Sequence, residues 1–334
     1  MSDSQQAPTA GRALSLADLP EEFRGFDSVF ETEIRPGLVA REAERMAAAR
    51  KAVQTRWTGG AIILSGALLG LAVVKAPVVA IVIAAIGAGV IVWGNLDIMK
   101  LQGEAKWLIV EPIARRLGLT FEPEPGTCEA IYRHRDVGLV PAWDRSGYED
   151  RVTGRRGAVD FELFEAHLEE KRTTTDSRGR TQTSWVTVFK GQCLRFDFHK
   201  TFYGRTLITR DAGFFNRFGG ASGLQRASLE DPVFEKIFEV YTSDQVESRY
   251  LLTPDFMQKL VDLEGVFKGG RLKAAFDGGE MFVTVQGGNL FEPGSMFKPL
   301  DSADRVEELL ADFAAVFGLI DTVTAGRSRM PPPA

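Results

Sequence analysis

Cysteine and histidine are both scarce in this chain of 334 residues, which contains 2 cysteines and 3 histidines. Cys128 and Cys193 are too few for a disulfide framework and lack CxxC spacing, which fits a reducing compartment. The histidines are His134, His167 and His199, and they form neither an HExxH nor an HxxxH arrangement. The sequence therefore predicts no metal site and no cofactor.

Positive charge is not in surplus either, because 40 lysines and arginines face 45 acidic residues, for a net charge of −5. This balance leaves no basic field of the kind that binds nucleic acid. The hydrophobic fraction of 44% is ordinary for a soluble protein, but it is unevenly distributed. Lys75 is the only charged residue between Trp57 and Leu96, so composition must be read segment by segment.

The apolar block predicts a two-span transmembrane hairpin over residues 57–96, with spans at 57–74 and 77–95. Each run of about 18 residues would cover about 27 Å as a helix, close to the hydrocarbon thickness of a bilayer. Lys75, Ala76 and Pro77 lie between the runs, where the proline disfavours a continuous helix. One unbroken helix would overshoot a bilayer nearly twofold. A re-entrant hairpin and a hairpin buried in a soluble core are the alternatives.

Small residues at four-residue spacing occur in both runs and suggest how two spans would pack. Gly66 and Gly70 form a GxxxG pattern in the first, and Ala85 and Gly89 repeat the spacing in the second. Such residues allow helix backbones to approach closely in lipid. The alternative is that small residues are simply frequent in membrane helices.

Basic residues flank the block on its outer sides. The turn holds only Lys75. Five basic residues precede the block and two follow it: Arg41, Arg45, Arg50, Lys51 and Arg56 before it, and Lys100 and Lys106 after it. By the positive-inside rule, both termini and the main domain should be cytoplasmic. Trp57 and Trp93 would then anchor the spans at the same interface.

The remainder of the chain divides by pattern into helical and sheet-forming parts. We expect a flexible leader at 1–37, stalk helices at 38–56 and 97–118 that pair as a coiled coil, a linker region at 119–156, an α+β cytoplasmic domain at 157–320, and a flexible tail at 321–334. Strands followed by helices, without repeated βαβ units, predict a mainly antiparallel sheet closed by a C-terminal helix. A rolled, pleckstrin-homology-like sheet is one option.

Period-two patterning begins near Gly157 and changes face once. Phe161 and Leu163 share one parity and Phe164 the other, which predicts a β-bulge at that point. The polar stretch 172–184 predicts a long exposed hairpin connection, with a strand beyond it that breaks at Gly191.

The best polar constellation is Cys193, Arg195, Asp197 and His199, which share one face of a strand. Six residues of strand separate Cys193 from His199 by about 20 Å, so these two cannot form a dyad. Asp197 and His199 are the candidate catalytic pair, against the alternative of an ordinary solvated strand face. His134 and His167 should be surface residues.

The segment LEDPVFEKIFEVYTSDQVESRYLLTPDFMQKL, at 229–260, resembles a bacterial membrane-protein family catalogued as domain of unknown function number 3137. The resemblance extends to FETEIRPGL before the apolar block and to VDFELFEAHLEEK and VFKGQCLRFDFHKTFYGRT after it. It implies two spans near the N-terminus of a bacterial inner-membrane protein, followed by a cytoplasmic domain. It brings no catalytic residues.

These observations favour a membrane-anchored cytoplasmic interaction, scaffold or sensor module. The expected partners are the lipid bilayer and a protein, either a different one or a second copy bound through spans and stalk, but not nucleic acid. The alternatives are a membrane-associated hydrolase acting on a lipid or envelope precursor, and an accessory subunit of a transporter.

Overall fold

The computed structural model describes residues 20–73, 76–175, 179–198, 204–210, 223–229, 231–266, 271–287 and 294–327. His199 and Lys75, used in the predictions above, lie outside these residues. The chain forms two compact units, Met1–Ile113 with Glu292–Glu308, and Ala114–Phe291 with Leu309–Ala334. Each unit is described by itself below.

Two long helices dominate the first unit. They are α2 (Arg35–Ala67) and α3 (Pro77–Arg116), with a π-helical turn at Leu68–Val73 after α2. The chain enters α2 through a 3-10 turn at Glu21–Phe23, helix α1 (Phe26–Val29) and a π-helical turn at Phe30–Ile34. With 33 and 40 residues, α2 and α3 are about 50 and 60 Å long. The predicted stalk and apolar segments are thus continuous in backbone, and only polarity divides them.

The leader predicted for residues 1–37 is wrong in its second half, because residues 20–37 are structured. Phe23, Phe26, Phe30 and Ile34 are at most 1% exposed. Their spacing of three, four and four residues places them on one helical face, where burial stabilises short helices that would not form alone.

The second unit contains a nine-strand sheet among the described residues, and every recorded pairing is antiparallel. Its order is β1-β2-β3-β4-β9-β8-β5-β7-β6. The strands are β1 (Thr120–Glu122), β2 (Arg145–Arg156), β3 (Val159–Thr175), β4 (Thr181–Asp197), β5 (Thr206–Arg210), β6 (Gln225–Ala227), β7 (Phe238–Thr242), β8 (Arg271–Asp277) and β9 (Glu280–Gln286). The predicted α+β class with a mainly antiparallel sheet is confirmed.

The linker predicted at 119–156 is wrong, because this stretch carries β1, helix α4 (Ala130–Asp136) and β2. β2 is twelve residues long and pairs with β3 on one side and β1 on the other. Its sequence, RSGYEDRVTGRR, shows little hydrophobic alternation because most of its side chains are partly or fully exposed. Pairing with β3, which no local pattern reveals, makes it a strand.

The β3–β4 hairpin extends further than the sequence suggested. Stretch 172–184 was predicted as a connection, but the strands continue to Thr175 and resume at Thr181, with Thr173 opposite Thr183. β-branched threonines favour strands even when solvated. β4 is also unbroken at Gly191, where a Cβ would overlap the carbonyl oxygen of Val285 on β9, so the glycine permits close pairing.

Both faces of the sheet are covered. On one face, Phe164 and Cys193 pack with Ile131 of α4. On the other, Phe161 lies 5.9 Å, ring to ring, from Phe317, which belongs to the C-terminal helix α8 (Ala303–Arg327). The expectation of a solvated face along β4 is therefore wrong at Cys193, which is fully buried.

Three shorter helices lie between strands of the sheet along the chain. They are α5 (Pro232–Glu235), α6 (Gln245–Leu251) and α7 (Pro254–Val266). The carboxylate of Asp244 accepts hydrogen bonds from the N–H groups of Val246 and Glu247, both at 2.9 Å, and so caps α6. α7 begins with proline, whose missing N–H is not needed there.

The tail predicted at 321–334 is helical as far as Arg327, so its first seven residues are not a tail. Val323 is 2% exposed, and Asp321 makes two hydrogen bonds with Arg156 on β2, at 2.8 and 2.6 Å. Contacts with the sheet extend the helix beyond the point where its sequence pattern fades.

Candidate functional site

The apolar parts of α2 and α3 run antiparallel at very close range. A Cβ added to Gly59 would lie 2.6 Å from the carbonyl oxygen of Gly87, and one added to Gly87 would lie 2.7 Å from the oxygen of Gly59. Nearer the turn, a Cβ added to Gly66 would lie 2.5 Å from Ile83 Cγ2, and one added to Gly70 would lie 2.5 Å from the backbone nitrogen of Ala80. These four glycines leave no space for side chains between the helices.

Ala85 and Gly89, predicted to pack the second helix, do not lie at this contact. Both are exposed, and a Cβ at Gly89 would meet no atom within 4 Å. Gly87 is two residues from each, about 200° around the helix, and it occupies the contact instead. Four-residue spacing alone does not reveal which helix face is inward.

Large apolar side chains cover the outer surfaces of the pair. Leu64 is 73% exposed, Ile81 67% and Val92 61%, and several others exceed 50%: Leu68, Val78, Val82 and Ile86. Among the described residues, one helix, α3, is long and apolar enough to cross a membrane, and 17% of its most apolar window is buried.

The two predicted anchors, Trp57 and Trp93, are 78% and 58% exposed. The ammonium of Lys51 lies 3.8 Å from the centre of the Trp93 ring and 2.8 Å from Asp97. An amphipathic ring beside paired charges matches the chemistry of a membrane–water interface.

Beyond the tryptophans, α2 and α3 line a cavity of about 350 Å³. Two of its lining residues, Lys51 and Asp97, form an ion pair across the helices. A third, Glu104, pairs with Arg41, which lies outside the lining, at 2.8 Å.

The segment before α8 is tied to α2 by buried arginines. Arg45, 7% exposed, donates to the carbonyl oxygen of Met296 at 3.0 Å and to both carboxylate oxygens of Glu42. Burial raises the pKa of Glu42, but hydrogen bonds from Arg45 and the Leu300 N–H outweigh it and leave that pKa below its ordinary value. The ionised carboxylate is therefore part of this contact.

Asp197, half of the candidate catalytic pair, belongs to an ionic cluster at the end of β4. Arg195 lies 3.5 Å from Asp197 and contacts Glu280 of β9 at closer range. Glu280 also accepts from Arg133 of α4 at 3.1 Å, and Arg133 reaches Asp277 at 3.2 Å. Each carboxylate in this set has an arginine partner, so the arrangement joins α4 to the sheet. The other residue of the candidate catalytic pair, His199, lies outside the described residues.

His134 is fully buried, which corrects the prediction that it lies on the surface. Its Nδ1 is 2.8 Å from the carbonyl oxygen of Ala130, and its Nε2 is 3.1 Å from that of Leu194. Desolvation lowers the pKa of His134 more than these carbonyls raise it. The neutral ring packs edge-on against Phe164 and Phe282 and joins α4 to β4.

His167 is half-buried, and its Nε2 lies 2.9 Å from the hydroxyl of Thr187 on the neighbouring strand. Cys128 and Cys193 are free, buried thiols in one apolar cluster. Burial raises the pKa of Cys128 to about 12 and that of Cys193 well above its ordinary value. Neither thiol is activated as a nucleophile.

Oxygen ligands converge at one place that the sequence reasoning missed. Glu149 and Asp150 of β2 and Glu165 of β3 each place a carboxylate oxygen within 4.8 Å of the others. The prediction of no metal site considered histidine and cysteine spacing only. Acidic residues on two paired strands give no spacing signal, because strand register is set by tertiary pairing.

Together these features define an α+β protein that joins an antiparallel pair of long helices to an antiparallel sheet domain. Residues 187–324 match the model of the family described as Protein of unknown function (DUF3137), which supports the resemblance seen in the sequence over this stretch. No curated protein matches the chain. Among solved structures, the chain is similar to the mycobacterial trehalose monomycolate transport factor A, TtfA, at 9% identity and a TM-score of 0.35, covering 70% of this chain and 98% of that one.

Proposed function

We propose that this chain is an integral membrane protein of a bacterial inner membrane. Its α2–α3 helix pair would cross the bilayer twice and hold the sheet domain at the cytoplasmic face as an interaction module. The observation that carries the proposal is the exposed apolar surface of the pair, from Leu64 to Val92, around a glycine-packed interior. In water such a surface would drive aggregation, whereas in lipid it needs no other cover.

Charge placement supports the orientation. Lys51, Arg56 and Lys100 lie on the outer side of the apolar block, together with Asp97 and Asn95, to which Lys51 and Arg56 donate at 2.8 and 2.9 Å. Lys75 is the only charged residue of the turn. Because basic flanks are usually retained on the cytoplasmic side, this arrangement supports cytoplasmic termini.

Cysteine accessibility in intact cells tests the topology. In a chain with Cys128 and Cys193 replaced by alanine, a cysteine at Ala76 should react with a membrane-impermeant maleimide added outside. A cysteine at Gly103, on α3 beyond the apolar block, should react only after the cells are lysed. Labelling of both sites from outside, or release of the protein by alkaline carbonate, would refute the proposal.

The interaction role is tested by site-specific crosslinking in cells, with a photoreactive residue on the exposed strands near Thr173 and a matched one at exposed Arg155. The proposal expects one reproducible protein adduct from the first position. Adducts to a polytopic membrane protein would instead identify an accessory subunit of a transporter. No adduct from either position would contradict the interaction module. No specific feature of the described residues supports the hydrolase alternative.

A further inference from the structure

Strand β2 carries a β-bulge, which lies outside the helix pair proposed to cross the membrane. Glu149 lies opposite Glu165 of β3, and Val152 lies opposite Leu163, so Asp150 and Arg151 together face the single residue Phe164. Asp150 adopts a φ of 55°, which L-residues other than asparagine and aspartate rarely do. Its N–H donates to the carbonyl oxygen of Pro123 at 3.0 Å, which holds the bulge in place.

The bulge brings three carboxylates together. In a regular strand, Asp150 would point to the face opposite Glu149. Here the carboxylate oxygens of Glu149, Asp150 and Glu165 all lie within 4.8 Å of one another. Asp150 is 2% exposed and Glu165 is 4% exposed, while Glu149 is open to solvent. Like charges this close, with two of them removed from water, disfavour one another strongly.

A fourth oxygen lies beside them. Gln192 of β4 is directly opposite Glu165 and fully buried, and its Nε2 donates to Glu165 Oε2 at 3.4 Å. Its Oε1 is buried with no hydrogen-bond partner among the described residues. A buried acceptor without a donor is rare in folded proteins and calls for an explanation such as an ion. This orphan oxygen belongs to the side chain that contacts Glu165, and the spacing of the carboxylates does not account for it.

The neighbouring ammonium does not satisfy the orphan oxygen. Lys190 Nζ lies 3.8 Å from Glu165 Oε1 and its side chain is 55% exposed, while Gln192 Oε1 stays without a hydrogen bond among the described residues. A divalent cation among the oxygens would ligate Gln192 Oε1 together with the carboxylates.

We propose that Glu149, Asp150, Glu165 and the Oε1 of Gln192 bind a hard divalent cation, Ca²⁺ or Mg²⁺. The donors are all oxygens, three anionic and one amide, which suits these cations and not Zn²⁺, which prefers nitrogen and sulfur. Oxygens 4.8 Å apart or less can share one ion at the 2.3–2.6 Å typical of calcium. The open Glu149 side leaves room for water ligands and for entry. The site would join β2, β3 and β4.

The test uses the full chain in detergent after treatment with EDTA. Titration calorimetry with CaCl₂, MgCl₂ or ZnCl₂, and thermal unfolding with and without each ion, measure binding. We expect one Ca²⁺ or Mg²⁺ ion per chain and a higher Tm when it is bound. No binding of either ion, or binding of zinc alone, would overturn the proposal.

Variants locate the site. Glu149→Gln changes an exposed residue and should fold normally, and Asp150→Asn keeps a side chain that tolerates positive φ. Each should weaken binding at least tenfold and abolish the ion-dependent rise in Tm. Glu170→Gln, an exposed residue of β3 paired with Arg172, is the control and should bind like the parent. Unchanged affinity in both cluster variants would show that any bound ion lies elsewhere.

Discussion

Gly59 and Gly87 lie back to back, with each carbonyl oxygen less than 3 Å from where the other's Cβ would be. The contact fixes the register of α2 against α3 within their apolar segments. In lipid, where no hydrophobic effect drives helices together, such packing supplies much of the attraction.

Gly87→Leu should therefore separate the helices. The added side chain would meet the backbone of Gly59 and the side chain of Ile63 at 2.7 Å, a strain of about 1–3 kcal/mol. We expect a lower Tm in detergent. Gly89→Leu, on the same helix with no atom within 4 Å, should leave the Tm unchanged. If the two variants behave alike, the close contact is not what holds the pair.

Glu280→Gln should loosen α4 from the sheet. Glu280, whose side chain is 14% exposed, accepts hydrogen bonds from both Arg133 and Arg195. Its replacement by glutamine removes the negative charge that these two arginines share. A loss of about 1–3 kcal/mol in unfolding free energy follows from breaking a part-buried network. Chemical denaturation of the full chain in detergent measures it.

The comparison for Glu280 is Glu170→Gln, which removes an exposed ion pair with Arg172. Exposed pairs contribute about 0–1 kcal/mol, so little change is expected. An equal effect of the two substitutions would show that the Glu280 cluster adds nothing beyond surface charge.

Buried His134 makes stability depend on pH. Its pKa lies below the ordinary 6.5, so the unfolded chain binds this proton more tightly than the folded one. The stability that neutral His134 provides is complete above pH 6.5 and decreases as the pH falls below it. His134→Gln should cost about 1–3 kcal/mol at pH 7.5 and flatten the decline between about pH 6.5 and 5.

Denaturation curves at several pH values check this prediction, with His167→Gln as the comparison. His167 is half-buried and its recorded hydrogen bond is to a threonine hydroxyl, so at pH 7.5 its replacement should cost less unfolding free energy than that of His134. A parent-like slope in His134→Gln would exclude His134 as its source.

Arg45→Met should release the segment before α8. The substitution keeps the length of the side chain but removes the arginine that donates to the Met296 carbonyl and to the Glu42 carboxylate, which keeps the Leu300 N–H, at a cost of about 1–3 kcal/mol. Hydrogen exchange should accelerate at 295–300 while α2 stays protected. Arg50→Met, an exposed change on the same helix, should leave exchange as in the parent. Slow exchange at 295–300 in Arg45→Met would mean that other contacts hold the segment.

The β-bulge illustrates how far sequence pattern reaches. The parity change between Leu163 and Phe164 predicted an irregularity there, and one exists opposite Phe164. The extra residue, however, is on β2, in a stretch that reads as a linker. The carboxylate cluster follows from that placement, so it could not be predicted from β3 alone.

The sequence by itself determined the elements whose signals are local. These are the apolar segments, the α+β class and the resemblance of residues 187–324 to the family. Each depends on neighbours within a few residues, where propensity and periodicity act. Tertiary structure alone decided which glycines meet, that His134 is buried, and that Glu149, Asp150, Glu165 and Gln192 converge. These depend on pairing between distant strands and helices, whose register follows from burial of the whole core rather than from any local pattern.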